Sequence, residues 1–231
     1  MSFLTNTYFL LALTFGVYFI AQFVQRRTGW VLLNPILLTI ILLILFLKVT
    51  HISYGTYEKG GYLIEWWLKP SVVALGVPLY LQLEAIKKQL IPVLLSQLAG
   101  CVIGIVSVVG VAELLGASKE VALSLASKSV TTPIAMEVTS AIGGIPSLTA
   151  AVVVCTGLFG AIFGFKVLHL CQVGSPIAQG LSMGTAAHAV GTSTAMDISQ
   201  KYGAYASLGL TLNGILTALL TPTILDLLGL L

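Results

Sequence analysis

The sequence predicts an all-α polytopic membrane protein with six full transmembrane helices and two discontinuous helical segments, broken or re-entrant, that stem from an internal duplication. Three observations predict it. The 231 residues are 57% hydrophobic and only 8% charged, with a mean hydropathy of +1.02 spread over the whole chain, whereas an ordinary soluble domain is roughly a quarter charged. Charge-free runs recur from end to end, each able to cross a hydrocarbon core of ~30 Å at ~1.5 Å per residue. Between them lie two polar, glycine-rich stretches that match one another at a fixed offset.

The first span is Tyr8 to Val24. Its positive charges, Arg26 and Arg27, follow the apolar run rather than precede it, so it reads as a retained helix and not as an export signal. Thr28 to Leu47 is the second span, Pro70 to Leu83 with Tyr62 to Trp67 ahead of it the third, and Gln89 to Ala112 the fourth. Val138 to Phe165 and Tyr202 to Leu225 complete the six. Trp30, Tyr62, Trp66 and Trp67 stand at segment ends, where amphipathic rings favour the headgroup level. Arg26, Arg27, Lys87 and Lys88 fall on alternate loops, which the positive-inside rule assigns to the cytoplasm, with the N-terminus outside.

Several function classes are excluded. The balance of 11 Lys+Arg against 8 Asp+Glu gives a net charge of +3, scattered at segment ends rather than gathered into a stripe that could track phosphates, so no nucleic acid is expected. Cys101, Cys155 and Cys171 lack metal or disulfide spacing and read as small apolar residues of a bundle. Neither metal nor cofactor is expected. An enzyme is discounted as well: Gly191 to Ala195 only faintly resembles a serine-nucleophile turn, without the following glycine or a His/Asp pair. The pairs Gly100/Gly104, Gly160/Gly164 and Gly180/Gly184 bare one helix face for close approach of another, within the chain or in a dimer.

The duplication has a period of 60 residues. Val130 pairs with Val190, Thr132 with Thr192, Ala135 with Ala195, Met136 with Met196, Glu137 with Asp197 and Gly143 with Gly203. In the first copy Thr132 is expected to cap a new helix with Pro133 at its first position. In the second, Gly191 to Ser193 is expected to break the helix, and Thr194 with Asp197 to open the next as a capping box. Gly143 and Gly203 suit the ends of the restarted helices.

Irregular backbone at membrane depth is tolerated only where protein or a watery cavity satisfies it. The breaks should therefore face a shared interior, where unpaired N–H groups and the positive dipole ends of the restarted helices attract an anion. Lys128 carries a charge that costs about 2.5 to 3.5 kcal/mol to insert, and so needs a cavity, a partner or an anionic ligand. The candidate contacts for a small organic anion are Lys128, Ser129, Thr131, Thr132, His188, Thr192, Ser193 and Thr194. Glu137 and Asp197, one turn into the restarted helices, are candidates for ion or proton coupling or else neutralise the helix dipole. His169, at a segment end, is read as structural.

The strings SVTTPIAM (Ser129 to Met136), TGLFGAIFG (Thr156 to Gly164) and GTAAHAVGTSTAMD (Gly184 to Asp197), with the pair Gly143 and Gly144, resemble the CidB/LrgB family of bacterial membrane proteins over nearly the whole chain. The resemblance implies a multi-pass protein of the bacterial inner membrane that works with a small LrgA/CidA-type membrane partner. Its functional implication is divided between holin- or antiholin-like control of murein hydrolase export and autolysis, and transport of small monocarboxylates such as glycolate, glycerate or pyruvate. The residues themselves favour transport. Residues 1–115 are then expected to be transmembrane scaffold and oligomerisation surface of a homo-oligomer, a dimer, and residues 116–231 the duplicated transport core, its discontinuous segments at about 120–144 and 177–203. Re-entrant hairpins are favoured over crossings, since they bring Lys166 and Lys201 to the side of Arg26, Arg27, Lys87 and Lys88.

Overall fold

The structure is a computed structural model and describes all residues except 1–3, 30–32, 75–76, 78–79 and 81–82. The described residues form helices α1 (Thr7–Thr28), α2 (Pro35–Thr50), α3 (Tyr54–Ala74), α4 (Leu83–Lys88), α5 (Leu90–Leu114), α6 (Lys119–Ala126), α7 (Thr132–Ala141), α8 (Pro146–Leu170), α9 (Pro176–Ile198) and α10 (Gln200–Leu227). Among these, α1, α5, α8 and α10 are long and apolar enough to cross a membrane. The apolar α2 has 16 residues, about 24 Å of helix. The expected third span, Pro70 to Leu83, lies largely outside the described residues, as does Trp30, while Tyr62 to Trp67 and Pro70 are inside α3.

Local chemistry explains where the apolar runs are cut. The expected span Thr28 to Leu47 is interrupted because Gly29 takes the left-handed conformation that ends α1, and Asn34 and Pro35 start α2. The Asn34 carboxamide oxygen accepts hydrogen bonds from the N–H groups of Ile36 and Leu37. The run Val138 to Phe165 is likewise divided, with Gly143 at φ +79° closing α7 and Pro146 opening α8. The two sides of each cut are separate helices although no charge intervenes.

The chain forms two compact units, residues 1–74 and 75–231. In the first, α1 and α3 approach where Gly60 lies against Leu10, and the Thr14 and Tyr57 hydroxyls are 2.9 Å apart. The second unit carries α5 together with the duplicated region, because Val93, Cys101, Ile105 and Val109 of α5 supply its core.

Both copies of the duplication fold back on themselves. In the first, α6 and α7 form a helical hairpin. The Ser127 hydroxyl donates to the Ala135 carbonyl at 3.1 Å and lies 3.1 Å from the Thr139 hydroxyl. Farther from the tip, the Ile145 N–H donates to Ser124 Oγ at 2.7 Å and the Thr149 hydroxyl lies 2.9 Å from the Ser124 carbonyl. In one straight helix residues 124 and 145 would be about 30 Å apart. In the second copy α9 turns sharply at Ala187 (φ −121°, ψ 15°) and His188 (φ 42°, ψ −134°). The turn brings Met183 and Ala195 into one apolar cluster with Ala206, although 12 residues of straight helix would separate them by about 18 Å.

The second break therefore falls at Ala187–His188, three residues before the expected Gly191–Ser193, in register with the first break 60 residues earlier. Gly191 serves packing instead, because a Cβ there would meet the Met183 carbonyl oxygen at 2.5 Å and the Ala187 methyl at 2.6 Å. It lets the second arm lie against the first. Thr194 caps nothing, since its hydroxyl donates to the Val190 carbonyl within the helix. Nor does Gly203 end a helix; it is inside α10, pressed against Met196. At the first break the cap is Thr131 rather than Thr132, a difference of one residue.

The two hairpins enter the second unit from opposite ends. Leu123 and Ala126 of α6 share a core with Val109 of α5 and Leu225 of α10, near the C-terminal ends of those helices. Leu181 of α9 packs instead with Val93 and Leu208, near their N-terminal ends. α8 begins beside the first hairpin and ends beside the second, where Phe165 meets the Tyr202 ring at a centroid distance of 6.0 Å. α10 runs the other way, so the two copies of hairpin plus long helix are inverted relative to one another.

Candidate functional site

Between the hairpin tips lies a cavity of about 720 Å³, walled by α5, the first break, the first arm of α9 and the middle of α10. Its polar groups come from Ser96 and Gln97, from Lys128 and Ser129, from Ser182 and Thr185, and from Asn213 and Thr217. Among the described residues Lys128 is the one charged group on this wall, and no carboxylate of theirs shares the cavity with it. Its ammonium donates to Ser129 Oγ at 3.0 Å. A single cation in a small, acid-free cavity gives the space a positive field.

The polar groups are held by the breaks themselves. Asn213, 2% exposed, donates through Nδ2 to the Ser129 carbonyl at 3.3 Å and to the Thr185 carbonyl at 3.0 Å. One carboxamide thus ties the first tip to the arm that leads into the second. The Thr185 hydroxyl lies 2.6 Å from Gln97 Oε1 and 2.7 Å from the Leu181 carbonyl oxygen, which fixes α9 against α5. Cys101 Sγ is 3.5 Å from the Thr217 hydroxyl.

The 60-residue register recurs in these contacts. Lys128 corresponds to His188, and Val153 of α8 to Asn213 of α10. At one break the Asn213 side chain grips the backbone of Ser129, next to Lys128. At the other, His188 Nε2 lies 2.9 Å from the Val153 carbonyl oxygen. A carbonyl only accepts, so Nε2 carries the proton in this contact. The same two regions are joined in both copies, with side chain and backbone exchanging roles.

Of the eight expected contact residues, Lys128 and Ser129 are on the cavity wall. Thr131 is buried as the cap of α7, and its hydroxyl has no hydrogen-bond partner among the described residues. Thr132 is half-buried at the start of α7. His188 is buried at the second break, and the Thr192 hydroxyl donates to the His188 carbonyl at 2.9 Å. Thr194 is half-buried, and Ser193 is exposed, as are Glu137 and Asp197. The cavity wall reaches the breaks at Lys128, Ser129 and Ala186, on the side where the first arms end, and not at the starts of the restarted arms.

Asn213, Gln97 and Thr217 were not among the sequence candidates. A signal existed for the first two, since each is a carboxamide near the middle of a charge-free run, where a polar group must find a partner inside the bundle. Several hydroxyls near the first break serve structure instead: Ser124, Ser127, Thr139 and Thr149 are all fully buried and bond one another or neighbouring backbone.

Comparison with known proteins gives a consistent relationship. The model of the LrgB-like family matches residues 14–227. The holin-like protein CidB of Staphylococcus epidermidis is 34% identical over 216 residues, covering 94% of both chains. YwbG of Bacillus subtilis is 36% identical over 94% of this chain and 96% of its own, and a protein of Haemophilus influenzae is 37% identical over 93% of each. No solved structure matches the chain.

Proposed function

The chain belongs to the LrgB-like family, and we propose that it transports small monocarboxylates of the glycolate, glycerate or pyruvate kind across the bacterial inner membrane. The observation that carries this reading is the Lys128 ammonium, held by a hydroxyl alone, in an acid-free cavity between two opposed helix breaks. A carboxylate there gains a charge-assisted hydrogen bond and relieves the cost of a buried, lone cation. Thr131, Thr132, His188 and Thr192 surround the starts of the restarted arms, whose dipole ends add to the field beyond the wall. Glu137 and Asp197, exposed on those arms, are the coupling candidates of this reading.

In the membrane the chain is read as six crossings and two re-entrant hairpins. Residues 1–115 are the scaffold of a dimer, and a CidA-type small protein is the partner. Flux of glycolate, glycerate and pyruvate into liposomes containing the protein, with and without that partner, tests the proposal. Saturable uptake is expected, and the absence of saturable flux under both conditions defeats it.

A second reading rests on the name of the CidB relatives, which are described as holin-like. A holin-like or antiholin-like regulator of autolysis needs no selective pocket. It gives unselective leakage or none, and insensitivity to substitution of Lys128.

A further inference from the structure

The Asn213 carboxamide has a defined orientation and an unused half. Its Nδ2 faces two backbone carbonyls, those of Ser129 and Thr185. Turning the amide over would set Oδ1 against two acceptors, so the backbone fixes which atom points where. Both donors are spent on the breaks. Oδ1 is buried without a partner among the described residues, on a side chain that forms part of the cavity wall. A buried acceptor left unpaired is unfavourable, and it invites a donor from whatever occupies the cavity.

Lys128 and Asn213 make complementary demands on that occupant. The ammonium calls for an anionic group. Oδ1 calls for a hydroxyl or similar donor, and Asn213 grips the residue adjacent to Lys128. We propose that Asn213 is the specificity-determining residue of the cavity, accepting a hydrogen bond from a ligand hydroxyl and so selecting acids with a hydroxyl beside the carboxylate over oxo or unsubstituted acids of equal size. An oxo acid sets a carbonyl oxygen against Oδ1, and an unsubstituted acid leaves Oδ1 dry and unpaired. A site built to bond a hydroxyl rejects analogues lacking it far more strongly than it could discriminate by shape alone.

This inference rests on the transport reading and deepens it. The test is competition against counterflow of labelled glycolate in liposomes holding the full chain, with lactate, pyruvate and propionate as competitors. These three acids have the same carbon skeleton and differ at the second carbon. Lactate is expected to compete at least about tenfold better than pyruvate or propionate, and Asn213→Leu is expected to erase the difference. Should the leucine variant be missing from the membrane, Asn213→Ser serves instead, since it shortens the acceptor away from the ligand.

Equal competition by all three acids overturns the inference and leaves the transport reading standing. So does discrimination that survives in the Asn213 variants, because it then belongs to another group. Absence of flux for every acid overturns the transport reading, and this inference with it.

Discussion

At the scale of single residues, two side chains at equivalent tip positions bear different burdens. Lys128 is half-buried with only a serine hydroxyl to hold it. Lys128→Met keeps most of its volume and removes the charge. It is expected to lower carboxylate flux at least about tenfold while its level in the membrane is unchanged, with Lys128→Arg retaining part of the flux. Liposome uptake normalised to inserted protein measures both. A methionine variant with undiminished flux would place the anion elsewhere.

His188, 4% exposed, stands at φ 42°, a conformation that costs a non-glycine residue about 1 to 3 kcal/mol. His188→Ala keeps that strain, loses the bond to the Val153 carbonyl and leaves a void beside Gly157. His188→Gly loses the same bond but relaxes the backbone. Both variants should melt below the parent in detergent, the glycine variant above the alanine variant by the equivalent of about 1 kcal/mol. A reversed order would show that the backbone at the break is not strained.

At the scale of elements, the glycines divide by what they touch. A Cβ on Gly184 would fall onto the Ala206 carbonyl oxygen, whereas one on Gly104 would meet nothing within 4 Å. Gly184→Ala is therefore expected to force α9 from α10 and to cost about 1 to 3 kcal/mol or more, while Gly104→Ala is near neutral. Thermal unfolding of the purified variants separates the two. Gly160 and Gly164 behave as Gly184 does, because they receive Ala187 and Met183 of α9. For these pairs the close approach is made within the chain.

The same distinction explains what could be read from the sequence. The period of 60 residues and the first break were legible, since proline after threonine states a helix start in local chemistry. The position of the second break was not. Gly191 carries the ordinary signal of a breaker, yet its missing side chain makes room for Met183 and Ala187, a tertiary fact that no local pattern encodes. The true break falls on His188, whose type announces no turn. The hydroxyls of Ser127 and Thr192 pointed to a binding site and are found bonded within the hairpins. Asn213 became visible only once three separate segments met around it.

At the scale of the molecule, the second unit has two ends that differ in charge and in the hairpin each admits. The end that receives α9 gathers Lys87 before α5, Lys166 late in α8 and Lys201 at the start of α10. By the positive-inside rule that end belongs to the cytoplasm, and the start of α8, where the first hairpin enters, belongs outside. Ser147 is exposed at that start, and Cys171 is exposed just beyond the other end of α8. With Cys155 replaced by serine, a Ser147→Cys protein lacking Cys171 should react with an impermeant maleimide from outside when the outer membrane is permeabilised. The Cys155→Ser protein that keeps Cys171 should react only after the inner membrane is opened. Labelling of both cysteines from the same side would mean that α8 does not cross, and the opposed hairpins would then no longer meet at the middle of the bilayer.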